Sequence, residues 1–424
     1  MPYPKTAIVI GGSIAGLLQG LQLKRNGVNV TILEQDPSEN RQSHASGIQV
    51  GPRLGALLET LDATGRPSSI PADFLSVAWR KHLRIIDRPA PRHMSNWGTL
   101  YLILRANFDG RTSEVVPDAP PPRQGDGEVE YRAGKRAVGL TYSQHDGIVH
   151  VEFEDVSTGE KDTIGAEMVI AADGVHSTVR KLLDIPSEKK YSGYIGWRGV
   201  VPERLLTPET AEYFSNRLNF SLMKGAYSIS YIIPTEAGEV APGDRLVNWV
   251  WYFRVADASP EMADIFTDIN GKMHHSTVPQ GLVKPDLWAR QKAQYLEQMT
   301  PRLAELIDRT PRPFISKATD LDGTDHPASF FDGRLVLVGD AYTAFRPHVG
   351  MASEQAAHHC WQMDRVWREE ITQEQRDREA ALFGKRFLLL NRFVGLTGME
   401  LWFQVLRTVA SYAWMGVKHL LVFV

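Results

Sequence analysis

Cysteine is almost absent: Cys360 is the only one in 424 residues. An intrachain disulfide is therefore excluded, and a lone thiol fits a reducing, intracellular setting. An excess of one charge is also lacking. Lys and Arg number 47 and Asp and Glu 50, for a formal net charge of −3, with no long basic run. That argues against nucleic acid as the main partner. Long uncharged apolar runs are missing too. The greasiest stretch, "LWFQVLRTVASYAWMGVKHLLVFV", is interrupted by Arg407 and Lys418, so no run spans a bilayer. A docked terminal helix is expected there, with a membrane-surface or partner helix as the alternative. The N-terminal "MPYPKTAIVIGG" has no basic region ahead of a long apolar core and does not read as a signal peptide. Internal repeats are absent. The one low-complexity patch, "PDAPPPRQGDG" at 117–127, is expected to be a surface loop. A cytoplasmic protein is expected, its tail at most weakly membrane-associated. What remains is ordinary globular composition, 43% hydrophobic and 23% charged. The length suits one large domain or two intimately connected ones.

Residues 5–36 carry the first organised signal. "TAIVI" is a short β-rich run ended by Gly11 and Gly12. Ile14, Leu17, Leu18 and Leu21 then recur at helical spacing, and Gly27 closes the helix. "VNVTILE" is a second buried strand that ends in Glu34. This is a βαβ unit of about thirty residues with an acid at the end of its second strand. Gly11 permits a tight turn, a small residue at Ser13 lets a pyrophosphate approach, and Gly16 lets the helix pack close to the strand. The helix N-terminus offers free N–H groups to phosphate. Glu34 can accept from a ribose hydroxyl pair, which favours FAD or NAD over NADP at this site. Ser13 departs from the usual second glycine. The competing reading is an ordinary βα turn that needs glycine sterically.

Two further stretches repeat the theme of an acid at a strand's end. "AEMVIAADGVHSTVRKLL" runs strand, Asp173-Gly174, helix, with Ser177 and Arg180 in the first turns. "GRLVLVGDAYTAFRPHVGMASEQAAHHCWQMDRVW" runs strand, Gly339-Asp340, a proline-containing loop, then a helix expected to start at Gly350. Open α/β sheets bind ligands at such strand ends. One such dipeptide reads as a turn; three in this order carry more.

The order of these motifs resembles the FAD-dependent aromatic hydroxylases, single-component flavoprotein monooxygenases related to p-hydroxybenzoate hydroxylase. The resemblance covers nearly the whole chain. "GGSIAG", "YSGYIGWRGVVPE", "LVNWVWYFRV" and "GDAYTAFRPHVGM" are most similar to the 2,6-dihydroxypyridine 3-hydroxylase branch. The resemblance implies an α/β fold: an FAD-binding βαβ domain of the glutathione-reductase kind, interleaved with a substrate domain roofed by a β-sheet, plus C-terminal helices. Its implied segments are 1–78, 101–187 and 311–372 for FAD, 79–100 and 188–310 for substrate, and a helical 373–424. It implies that Gly11, Gly12, Ser13, Ile14, Ala15 and Gly16 hold the pyrophosphate, and Glu34 and Gln35 the adenosine ribose. Arg105 would lie on the flavin side. Asp173 would serve FAD and the pyridine nucleotide, and Gly339 and Asp340 the ribityl chain. Pro347 would line the reaction side of the flavin. Backbone N–H groups at Gly350, Met351 and Ala352 would meet the flavin's pyrimidine edge, where a helix start stabilises negative charge. Where the family often has arginine before the glycine of "SGIQV", this chain offers Arg41 or His44 ahead of Gly47. The usual GxGxNxAxxDA reads "GMASEQAAHHC", with Ala352, Glu354 and His359 at altered positions.

The middle of the chain turns β-rich and aromatic: "YIGWRGVV", "YSISYIIP", "LVNWVWYF". These read as strands that roof the flavin, with Tyr, Trp and Phe around a planar substrate. Strand aromatics also simply pack cores. Arg198 and His348 are polar in apolar surroundings, and with Pro347 they are the candidate catalytic residues. His348 is a substrate contact or proton shuttle on one reading and a surface histidine on the other. The implied reaction uses NADPH or NADH to reduce FAD and O2 to form a C4a-hydroperoxide, which hydroxylates an electron-rich aromatic or heteroaromatic ring. Alternatives are epoxidation or hydroxylation of a prenylated or polycyclic natural product, or a non-catalytic relative of the Rab GDP-dissociation inhibitors. No metal site and no nucleic-acid partner are expected; a homodimer is compatible with the sequence.

Overall fold

A computed structural model describes residues 2–38 and 46–422. Six strands form the first sheet, ordered Ser329–Phe330, Leu335–Leu337, Met168–Ala171, Thr6–Ile10, Asn29–Glu34, Val129–Ala133. All pair in parallel except the first. Sheets buried on both faces are made of near-continuous apolar runs, and Ala7 to Ile10 and Met168 to Ala171 are each at most 4% exposed. Thr6–Ile10 lies at the centre, with the strands that follow it in sequence going to opposite sides. That switch point is where an open parallel sheet leaves a crevice beyond its strand ends.

Eight strands form the second sheet, in the order Thr277–Val278, Phe314–Asp320, Lys190–Pro202, Leu246–Arg254, Ala226–Ile233, Arg217–Met223, Phe74–Trp79, His82–Pro89. Its two faces follow from the two-residue period of a strand. Gly196 pairs with Tyr252 and Arg198 with Val250, while Tyr252 also pairs with Tyr227 and Asn248 with Tyr231. Tyr194, Arg198, Asn248, Val250, Tyr252, Tyr227, Ile229 and Tyr231 therefore share one face. Trp197, Trp249 and Trp251 point the other way, into a core closed by Phe214, Met262, Ile265, Leu303 and Leu306. Register thus sorts the aromatics of the expected Tyr, Trp and Phe pocket. The tyrosines take the open face and the tryptophans the helix-covered core, with only Trp249 also reaching a cavity edge.

Three helices end the described chain: Ala352–Trp367, Gln373–Gly398 and Trp402–Val422. The second opens with a capping box between Thr372 and Gln375. The third departs from the expectation of a docked helix. Among its residues up to 416 only Val405 and Thr408 are buried, while Trp402, Phe403, Leu406, Val409 and Trp414 stay exposed. Residues 117–127 contain no helix or strand, in line with the expected loop.

Candidate active site

The first crevice opens at the end of Thr6–Ile10. Gly11 turns the chain with φ +98°, and a Cβ there would lie 2.5 Å from the carbonyl oxygen of Ala172; only glycine fits both demands. A Cβ on Gly16 would overlap the Gly11 carbonyl oxygen, so the helix Ile14–Arg25 sits hard against the turn. Ser13 is its N-cap, and the Ser13 Oγ accepts from Trp97 Nε1 at 3.3 Å. Glu34 Oε2 accepts from the Gly12 N–H at 2.7 Å and Oε1 from the Asp36 N–H at 2.9 Å. Gly11, Ser13, Glu34, Gln35, Asp173 and Thr178 line a cavity of about 230 Å3. Gly12 and Ile14 do not face it. The Gly12 carbonyl accepts from the Tyr131 hydroxyl at 3.2 Å, and Ile14 packs in the core. Ala15 instead touches Gly339, whose Cβ would lie 3.0 Å from the Ala15 Cβ.

Asp173 caps the short helix Thr178–Leu182, its Oδ2 accepting from the N–H groups of Thr178 and Val179 at 2.7 and 3.0 Å. Burial nevertheless holds its carboxyl above the ordinary range. Arg105 is not brought to either cavity described here. It lies on the helix Trp97–Asp109, donating to Asp109 and to the Tyr101 hydroxyl, four residues away on either side, with its guanidinium 3.5 Å above the Tyr131 ring. It stands behind the Gly11–Ser13 turn, where i±4 partners on its own helix satisfy it. Arg41 and His44 lie outside the described residues.

The second cavity, about 290 Å3, lies under the tyrosine face of the large sheet. Gly47, Asp340, Pro347, His348, Gly350, Met351 and Ala352 line it from below, and Arg198, Tyr231, Asn248 and Tyr252 from above. The helix begins at Ala352 with Met351 as N-cap, two residues later than expected, because Gly350 takes φ +63°. Its free N–H groups and dipole point into the cavity. Asp340 Oδ1 is buried with no hydrogen-bond partner, and burial pushes the carboxyl up to about 6. An orphaned buried acceptor calls for donors supplied by a ligand. The Gly339 N–H donates to His359 Nδ1 at 2.9 Å, so His359 is neutral there. Glu354 reaches back to accept from the N–H groups of Arg53 and Leu54 at 3.0 and 3.2 Å, capping the helix Pro52–Leu61. The two unusual side chains in "GMASEQAAHHC" thus bind backbone around the cavity.

His348 is no surface residue. It is 2% exposed, with Nε2 2.6 Å from the Tyr194 hydroxyl and Nδ1 2.5 Å from that of Tyr227. Burial, with Arg346 and Arg198 nearby, holds it far below the ordinary histidine range, hence neutral. A neutral imidazole has one donor and one acceptor nitrogen, so one tyrosine donates to it and the other accepts. Arg346 Nη1 donates to Tyr194 Oη at 3.2 Å, and Arg346 and Arg392 both pair with buried Asp320. A Cβ on Gly395 would overlap the Tyr194 hydroxyl and sit 2.5 Å from His348 Nε2, so the helix Gln373–Gly398 closes this cluster from behind. Arg198 has no carboxylate partner among the described residues; its Nε is buried without a hydrogen bond, and its guanidinium acts on the buried Tyr252 hydroxyl. The sequence did not single out Trp97, Tyr131, Tyr194, Tyr227 or Tyr252. Only the even spacing of Tyr194, Gly196 and Arg198 along one strand hinted that they share a face.

These residues fit an FAD: a glycine turn and helix start for pyrophosphate, an orphaned acid for hydroxyls, and a second helix start beneath a planar cavity. The FAD binding domain-like family matches residues 191–320. The chain is 29% identical over 361 residues to a 2,6-dihydroxypyridine 3-monooxygenase of Paenarthrobacter nicotinovorans, covering 84% of this chain and 81% of that one. It is 27% identical over 367 residues to a 6-hydroxynicotinate 3-monooxygenase of Pseudomonas fluorescens, covering 83% and 80%. The fold matches the structure of 2,6-dihydroxypyridine-3-hydroxylase from Arthrobacter nicotinovorans with a TM-score of 0.72 at 24% identity, over 93% of this chain and 91% of that one. The glycine turn, the orphaned acid and these likenesses agree: in sequence and fold the chain is similar to the FAD-dependent aromatic hydroxylases, flavoprotein monooxygenases that act on aromatic and heteroaromatic rings.

Proposed function

We propose that the protein hydroxylates a small hydroxylated N-heteroaromatic of the hydroxypyridine type, bound as its anion against Arg198, with NADH or NADPH as a transient reductant. The observation that carries this is the guanidinium of Arg198, set in an aromatic-lined cavity with a buried, unpartnered Nε and no carboxylate to balance it. A half-buried cation walled by aromatic rings favours a counter-charge, and a deprotonated ring hydroxyl supplies one. The hydroxypyridine and hydroxynicotinate substrates in the relatives' names are of this kind.

In this reading FAD, when bound, supplies the activation of O2. Ser13 and the first helix start take the pyrophosphate, Glu34 and Gln35 the adenosine ribose, and Asp340 the ribityl hydroxyls. The N–H groups at Gly350 to Ala352 hold negative charge at the ring edge. Arg198 orients the substrate and favours its ionised form, and the Tyr252 hydroxyl is placed to share a hydrogen bond with it. His348 keeps the hydroxyls of Tyr194 and Tyr227 in register and can pass a proton between them. Pro347 and the aromatic wall exclude water.

The test is the visible spectrum of the purified protein, followed anaerobically as NADH or NADPH is added with a panel of hydroxypyridines, hydroxybenzoates and alkylated quinolones. Hydroxypyridines are expected to speed flavin bleaching, and Arg198→Gln to raise their KM by about ten-fold or more. Acceleration only by alkylated quinolones would overturn the assignment in favour of larger apolar substrates. Asp340→Ala is expected to fold but lose flavin; full flavin retention would refute the ribityl role.

A further inference from the structure

We propose that the outward face of the terminal helix, Trp402–Val422, docks on a bilayer carrying anionic headgroups. An ordinary surface helix turns its apolar side inward; this one turns it outward. Val405 and Thr408 face the protein; at 100° per residue Val409 and Trp402 flank that line on one side, and Ala413, Leu406 and Phe403 carry the apolar arc round to the opposite side. Trp402 is 60% exposed, Phe403 74% and Leu406 68%. Water-soluble monomers seldom leave so large a contiguous apolar patch uncovered.

The charge pattern selects the occupant. From Leu401 to Val424 the sequence has no Asp or Glu, but it has Arg407 and Lys418. Arg407 is exposed and borders the apolar arc beside Phe403. A second copy seated on this face would bring like charges together with no acid on the helix to offset them. Anionic headgroups complement them instead, and the indole of Trp402, at the edge of the apolar arc, suits the headgroup boundary. No helix among the described residues is long and apolar enough to cross a membrane, so the helix would lie along the surface. Its root also has a definite place. Leu401 packs against the cluster of Leu218, Ile229 and Val250, which lines the second cavity.

The test uses the full-length, flavin-loaded protein in vesicle flotation, with phosphatidylcholine vesicles and phosphatidylcholine–phosphatidylglycerol vesicles, alongside sedimentation velocity. The expected result is binding about ten-fold stronger to the anionic vesicles, weakened by salt. Phe403→Glu with Leu406→Glu should abolish it, and Arg407→Glu should remove the preference for anionic vesicles while apolar contact persists. None of these residues lines either cavity, so the flavin spectrum and rate of reduction should stay at wild-type values, which verifies folding. Failure of the wild type to float with either vesicle overturns the proposal. So does a dimer that the double variant splits while vesicles are ignored, which would assign the face to a second copy.

Discussion

Asp340→Asn turns the orphaned acid into a measurable quantity. Burial raises this carboxyl from the ordinary 3.8 to about 6. The folded apoprotein therefore holds a proton more tightly than the unfolded chain between those values. A group with a raised folded pKa weakens the fold as pH rises: no cost below about pH 4, a growing cost up to about pH 6, and a constant one above. Two pH units at ~1.4 kcal/mol each set the full cost near 3 kcal/mol, and partial solvent access at Asp340 trims it to about 2 kcal/mol. Asparagine keeps the shape without the charge. The Asp340→Asn apoprotein should resist urea better than wild type at about pH 7.5, and the two should coincide near pH 4. For FAD the sign reverses. In the proposed role ribityl hydroxyls would donate to the carboxylate, so wild type should bind FAD more tightly as pH rises through 6, whereas the variant should bind weakly and without that pH dependence. Paired urea titrations and flavin titrations across this range decide it. Equal stability of the two apoproteins at pH 7.5, or a gap that survives at pH 4, would refute the electrostatic account.

Two other outcomes follow from packing. Gly395→Ala should drive a methyl into the Tyr194–His348 contact, at a cost of about 1–3 kcal/mol; substrate-stimulated flavin reduction should slow, while FAD stays bound because neither Gly395 nor Tyr194 lines either cavity. Unchanged kinetics would remove the tyrosine–histidine cluster from the reaction. Trp251→Ala should cost about 3–5 kcal/mol in thermal or urea stability, yet leave flavin affinity intact below the transition, since Trp251 packs against Tyr295 and Trp288 on the sheet's far face. A parallel loss of flavin affinity would contradict that placement.

The glycine turn was legible because its constraints are local: Gly11, Ser13, Gly16 and Glu34 lie within one βαβ unit, and backbone sterics dictate glycine at 11 and 16. The strand, acid and helix at Asp173 and at Asp340 were readable for the same reason. The tyrosine–histidine cluster was not, since Tyr194, Tyr227 and His348 meet across more than a hundred residues. Which aromatics face the cavity was also hidden, because a one-residue change of register exchanges the two faces. Arg105 is held by Tyr101 and Asp109, four residues to either side, a local pairing that the sequence spacing already offered. The outward helix could not be foreseen from its amphipathic pattern, which says that one side is apolar but not which way it turns.

Gly395 has a temporal consequence. The chemistry is gripped from behind by a helix whose contact residue lies some two hundred positions after Tyr194. A ribosome therefore releases nearly the whole chain before the cluster can close, and non-local closures of this kind are slow. Until then the tyrosine face of the sheet is an open, half-wet surface. The last helices act as a clasp, and a nascent chain stalled before residue 395 would carry every residue that lines the two cavities yet have no finished chamber.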